Sequence, residues 1–279
     1  MSRMEINTLT SLVESAEAVG YTLPSELLDA HRTYVRVKAV EVPQPKTLEA
    51  DTAAARIVSA VAAGETPDPS ALAHEVNRAA LAGRDYDQAK IVMGLAVEQA
   101  GNAATNLGSD LAEQIITTHL RPALELIHRE AREVAGALKG FGLDPHTLIT
   151  APAKARNAYG SLPTLVARRK GIYRARRWAN TIGNREPQHD VMGMFGEFER
   201  PLAFHPHWKL PAQIPGVPAP EDETERLIWV VSEAAAIGQP WLPTVEEQDA
   251  AWWAQFGEGV ETRASRHRDG LAIGARIGA

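Results

Sequence analysis

His189 and Asp190, in the phrase QHD, and His205 and His207, in FHPHW, are the side chains of this sequence best suited to hold a divalent metal. His205 and His207 alternate, so an extended backbone would point both rings to one side, and two imidazoles with a carboxylate could ligate a hydrolytic ion. No spacing here matches a known metal motif. The expectation is a structural role, with the rings bonding loop carbonyls that a proline-rich backbone leaves unpaired, and no bound metal. A metal-dependent hydrolase built on these four residues is the alternative.

The second chemically distinctive group is cationic. The stretch ARRKGIYRARRWANTIGNR, residues 167–185, lies in an island, residues 151–185, that holds nine Lys and Arg and no acid. Residues 1–150 carry 13 basic against 20 acidic side chains, and residues 186–279 carry 7 against 15. Wound as a helix, the island places Arg169, Lys170, Arg174, Arg176 and Arg177 on one arc with Tyr173 among them. Leu165, Ile172, Ala175, Trp178, Ala179 and Ile182 fall on the other arc, with Arg168 the one cation among them. A phosphate backbone rewards such a face through counterion release, and Tyr173 could stack on an exposed base. The other occupants of the same face are solvent, an anionic membrane surface, an acidic neighbour or the chain's own acid-rich flanks. Neither a zinc-finger spacing nor an RNP sequence accompanies it.

Glu246, Glu247 and Asp249 open a helix, where the macrodipole favours acids, so they read as capping charges before an acid–base pair. Trp252 and Trp253 are adjacent on that helix and cannot both enter one core, which predicts a contact role for one of them. No GxSxG, P-loop, HExxH or dinucleotide fingerprint is present. The sequence has no cysteine, which excludes disulfides and thiolate chemistry. Apolar residues at 44% and charged residues at 23% are the proportions of a soluble globular chain. Glu5, Glu14 and Glu17 interrupt the N-terminal apolar residues, unlike a secretion signal, and no apolar run has the length of a membrane span.

The elements that must position these groups are helices. Ile6, Leu9, Leu12, Val13 and Ala16 recur at helical steps and Gly20 ends them as a C-terminal cap. Leu27, Leu28, His31, Tyr34 and Val35 continue a stripe after Pro24, until VPQPK at 42–46 breaks it. A third helix follows Thr47, with Ile57, Val58 and Val61 inward and Gly64 as its stop. Asp68-Pro69 starts the next, with Gly83 the expected end. From Asp85 to Leu138 the residues favour helix, with NLGSD at 106–110 a division and Pro122 a bend. Leu111, Ile115, Ile116, Leu120, Leu124, Ile127 and Val134 form its apolar set. Ser161 and Pro163 read as the start of the basic helix. Six of the 18 prolines fall between Pro201 and Pro220, which predicts an extended segment. Helices return with ETERLIWVVSEAAAIG and with PTVEEQDAAWWAQFG, where Thr244 and Glu247 are spaced as a capping box. The predicted fold class is mainly α: an elongated helical bundle over 1–141, a linker and basic amphipathic helix over 142–182, an irregular Pro-rich arm over 183–224, and C-terminal helices with a tail over 225–279.

In NAATNLGSDLAEQIITTHLRPALELIHREAREVAGAL, YRARRWANTIGNREPQHD and WLPTVEEQDAAWWAQFGEGV the chain resembles uncharacterised helical proteins from the structural and assembly regions of phages and prophages of high-GC actinobacteria. The resemblance covers most of the chain and implies a non-enzymatic virion component or assembly factor. Such a protein works beside capsid, portal or DNA, in the host cytoplasm during assembly or in the virion. The expected partners are a second copy of the chain, other virion proteins or DNA, with no membrane and no cofactor. A stand-alone nucleic-acid-binding protein is a further alternative.

Overall fold

The computed structural model describes residues 3–45, 49–186, 196–200, 203 and 220–256. Among these the fold is mainly α, and the one β pairing is an isolated antiparallel bridge between Phe198 and Pro240. No helix among the described residues is long and apolar enough to cross a membrane. Contacts divide the chain into two units, one holding Ser25–Leu107 and the other Arg3–Pro24 with everything from Gly108 onward.

The first unit contains α2 (Ser25–Lys38), α3 (Ala50–Ala62) and α4 (Pro69–Asp110) up to Leu107. Asp68 caps α4 by accepting from the Ser70 and Ala71 amides at 2.9 and 3.2 Å, as the Asp-Pro start predicts. Gly83 does not end this helix, whereas the division expected at NLGSD is present: α4 ends at Asp110 and a turn at Leu111 follows. A glycine inside a helix costs only about 1 kcal/mol, less than the strong helix formers around it supply. On α3 the expected inward face is also wrong: Val58 and Val61 are 68% and 60% exposed, while Ala53 is the buried residue. Leu81, Ile91, Val92 and Leu95 of α4 stand exposed as well.

The second unit is built on α8 (Ala153–Ile182), with α1 (Arg3–Val19) and α6 (Arg121–Leu138) packed along it. The α1 stripe behaves as its spacing predicts, with Ile6, Leu9 and Leu12 buried. Gly20 ends α1 at φ +87°, a left-handed conformation in which a side chain is strained. Two short elements, α5 (Ala112–Gln114) and a π-helical turn over Ile115–Leu120, lead into α6. Pro122 follows that turn at the start of α6, and the wider turn accommodates a residue that offers no amide hydrogen. After α7 (Pro145–Ile149), α8 begins well before the predicted start. Pro163 lies within the helix, and the Ser161 hydroxyl donates back to the Ala158 carbonyl at 2.7 Å instead of capping. Next come α9 (Glu223–Trp229), a π-helical turn over Val230–Ala234, α10 (Ala235–Ile237) and α11 (Val245–Phe256). The predicted capping box of α11 is present, with the Glu247 amide donating to Thr244 Oγ1 at 3.2 Å and the Thr244 amide to Glu247 Oε2 at 2.9 Å.

α1 packs tightly against α8 at Gly171, where an added Cβ would lie 2.9 Å from Val19 Cγ1 and 3.2 Å from Val19 Cβ. Helix propensity favours Gly171→Ala by about 1 kcal/mol, whereas overpacking a tight contact costs about 1–3 kcal/mol. The Val19 γ-methyl at 2.9 Å must shift and its Cβ at 3.2 Å leaves only a few tenths of an ångström to give, so overpacking wins. The expected result is a lower urea midpoint for Gly171→Ala that Val19→Ala recovers in the double variant; an unchanged or raised midpoint in the single variant would contradict the contact.

Candidate anion-binding cleft on the basic helix

The basic island is not a single outward face. Arg169 and Arg176 are each 7% exposed, which corrects the expectation of five outward cations. They sit seven residues apart, beside Ile172 and Leu165, because α8 is covered on more sides than one: α1, α6 and α9 all pack on it. An angular split into one wet and one dry half does not describe such a helix.

Four of the island's nine cations pair with the acidic flanks of the same chain. Arg168 bonds Glu130 at 2.7 Å and reaches the Val19 carbonyl at 3.3 Å. Lys170 pairs with Glu223 at 3.1 Å, and Arg185 with Glu246 at 2.9 Å and Glu113 at 3.4 Å. Arg169 pairs with Glu197, which also accepts from Arg226 at 2.9 Å. Arg176 meets no acid among these pairs; it donates to the Pro243 carbonyl at 2.7 Å, the Gly196 carbonyl at 3.4 Å and the Gln248 side-chain oxygen. The two buried arginines are therefore braces that tie α8 to the segments around Glu197 and Pro243.

Backbone pairing fixes the acid that makes this possible. The Trp241 amide donates to the Glu197 carbonyl at 3.0 Å and the Glu199 amide to the Gln239 carbonyl at 3.2 Å, on either side of the Phe198–Pro240 bridge. Phe198 stands edge-on to Trp229 with ring centres 6.1 Å apart. Burial alone would raise the Glu197 carboxyl; the Arg169 and Arg226 guanidiniums outweigh it and hold the group below the ordinary carboxylate range. Tyr173 belongs to the same network. Its hydroxyl donates to the Trp241 carbonyl at 3.2 Å and the Arg169 guanidinium lies 5.1 Å from its ring centre, so the ring is not free to stack on a base. Burial pushes its pKa up to about 12.

What remains open to a partner is a narrower strip. Lys170, Arg174 and Arg177 are exposed along the outer side of α8, and among the described residues Arg174 and Arg177 have no ion pair or side-chain hydrogen bond. With Arg169, Tyr173, Arg176, Gly196, Glu197, Arg226 and Gln248, they line a cleft of about 600 Å³. The site is thus concave and cationic, with a rigid floor and two uncommitted guanidiniums.

Behind the floor lies a group that sequence reasoning missed. His128 of α6 is 8% exposed, and its Nε2 has no partner among the described residues, as is true of Arg169 Nε. Burial first, then the Arg169 and Arg132 charges, lower its pKa to about 4 against the opposing pull of Glu197. The one available signal was its place in the apolar period of Leu124, Ile127 and Ala131.

Trp252 is buried, Trp253 is 40% exposed, and the two rings meet edge to face at 5.3 Å. Glu247 serves the α11 cap and bonds Arg121 at 2.6 Å, and Glu246 pairs with Arg185, so both carry structural duties. The metal candidates His189, Asp190, His205 and His207 lie outside the described residues. Among the described residues no three His, Asp or Glu side chains are grouped to hold a metal ion. No family model matches the chain, and no curated protein or solved structure matches it either.

Proposed function

We propose that this chain is a non-enzymatic binding and assembly protein that docks onto an anionic partner, DNA or an acidic protein surface, through the cleft on α8. The observation that carries this reading is the pair Arg174 and Arg177: exposed, without an ion pair among the described residues, and on a helix where the neighbouring Arg168, Arg169 and Lys170 are paired with the chain's own acids. They stand beside a cleft of net positive charge, which favours an anionic ligand. The resemblance to actinobacterial phage assembly-region proteins supports a virion setting for that partner. Val58, Val61, Leu81, Ile91, Val92 and Leu95 of α3 and α4 are each more than half exposed, which supports assembly with further protein.

The test is salt dependence. With two available cations, Arg174 and Arg177, the slope of log affinity against log salt for a short DNA duplex is expected at about −2, where five outward cations would give about −4 to −5. Arg174→Glu with Arg177→Glu is expected to abolish binding of the duplex and of polyglutamate alike, measured by fluorescence anisotropy. Binding that survives this double charge reversal would remove the reading.

A further inference from the structure

We propose that the cleft on α8 seats a phosphate monoester, as the phosphorylated end of a nucleic-acid strand or as a free nucleotide. This rests on the docking role given to the cleft above and names the chemical group that enters it.

Arg174 and Arg177 are three residues apart, so they are surface neighbours on α8 with Cβ atoms about 5–6 Å apart. Each guanidinium presents a planar fork of N–H donors, and two forks can converge on one group that offers several acceptor oxygens. A phosphate monoester has three such oxygens and a charge of about −1.5 to −2 at neutral pH. The cleft matches that charge: six cations and two carboxylates line it, an excess of four positive charges, more than a single carboxylate would offset.

The same two carboxylates argue against a continuous phosphodiester. Glu223 stands beside Lys170 at 3.1 Å and Glu197 lies between Arg169 and Arg226, so a strand threading the cleft would bring further phosphates against them. A terminal monoester ends where its charge is, and the nucleoside attached to it is uncharged. Asn180, also on the cleft, supplies a neutral donor and acceptor for hydroxyl or base atoms on that side. The volume of about 600 Å³ suits a nucleotide-sized group; a duplex would meet only the exposed outer strip of Arg174 and Arg177, and a terminal phosphate is what enters the cleft. Tyr173, bonded to Trp241 and covered by Arg169, is unavailable for base stacking, so the phosphate and not the base is the part recognised.

The experiment uses the full chain with inorganic phosphate, adenosine monophosphate, adenosine, succinate and an oligonucleotide with either a 5′-phosphate or a 5′-hydroxyl. Titration calorimetry is expected to show the monophosphate binding, adenosine and succinate failing to bind, and the 5′-phosphate strand binding about tenfold more tightly than its 5′-hydroxyl form, a difference set by one or two charge-assisted hydrogen bonds. Arg174→Gln with Arg177→Gln, both at exposed positions, is expected to erase that difference. Binding of inorganic phosphate and the monophosphate alone supports the free-nucleotide source; a preference confined to the phosphorylated strand supports the strand end. Equal binding of the two strands, with no competition by phosphate, overturns the inference and leaves the docking role standing. Equal affinity for succinate overturns the phosphate class. No binding of any anion overturns both.

Discussion

Replacing Glu197 with Gln is expected to lower the stability of the second unit by about 3 kcal/mol, the low end of the cost of breaking a buried ion pair. Arg169 is 7% exposed, and its Nε has no partner among the described residues. Glu197 supplies its counter-charge, and amidation keeps the shape but removes that charge, leaving a guanidinium in a poorly solvated place. The low end is chosen because the Glu197 side chain is about one-fifth exposed. Arg226, more exposed, should matter far less, and Arg226→Ala is expected to cost about 1 kcal/mol or less. Removing both buried partners together, Arg169→Met with Glu197→Gln, should be milder than Glu197→Gln alone, because no uncompensated charge then remains inside. Urea denaturation of the three variants tests the order, and in thermal melts Glu197→Gln should fall by about 6–12 °C. A midpoint for Glu197→Gln within error of the parent would show that the pair does not hold α8 to the 196–200 segment.

That network also shows where local sequence patterns stop being informative. Signals that act within a few residues were legible: Thr244 with Glu247, Asp68 before Pro69, and Gly20 after the α1 stripe all do what their spacing predicts. Punctuation inside long helices misled, since Gly83 and Pro163 each disturb one turn while the residues on both sides continue the helix. The site was half legible. The charge count located α8 and kept the chain's own acids among the candidate partners, and Arg168, Arg169, Lys170 and Arg185 do pair with them. Periodicity could not sort Arg169 and Arg176 from Arg174 and Arg177. It assumes one buried face, whereas the partners of the buried pair come from Glu197, Pro243 and Gln248, far along the chain in segments with no repeating pattern. The same limit explains α3, where Ile57, Val58 and Val61 are apolar enough to predict a core contact and only the packing shows Val58 and Val61 exposed.

Acid should weaken the second unit through His128, in a pH window set by its own titration. Its pKa is lowered to about 4 in the folded chain, while an unfolded histidine titrates near 6.5. Above pH 6.5 both states hold the ring neutral and its contribution to stability is complete. Between pH 6.5 and 4 the unfolded chain binds a proton that the folded chain refuses, so stability falls as pH falls, by about 1.4 kcal/mol per unit and about 3 kcal/mol in all. Glu197, held below the ordinary carboxylate range, adds a separate loss only at more acidic pH, below about 4.5. The two contributions are therefore separable at pH 5, where His128 should account for a loss of about 2 kcal/mol. His128→Leu removes both the titration and the buried Nε2 that has no partner among the described residues. Comparing urea midpoints at pH 7 and pH 5, the parent should lose about 2 kcal/mol more than this variant, while His128→Gln, polar but unable to titrate, should match His128→Leu in pH slope even if it is less stable overall. An identical pH slope in parent and both variants would show that the ring takes up its proton at the same pH in the folded chain as in the unfolded one. Arg169, with Arg132 close by, would then share the interior of α6 and α8 with a second positive charge, a state that only the Glu197 carboxylate could offset.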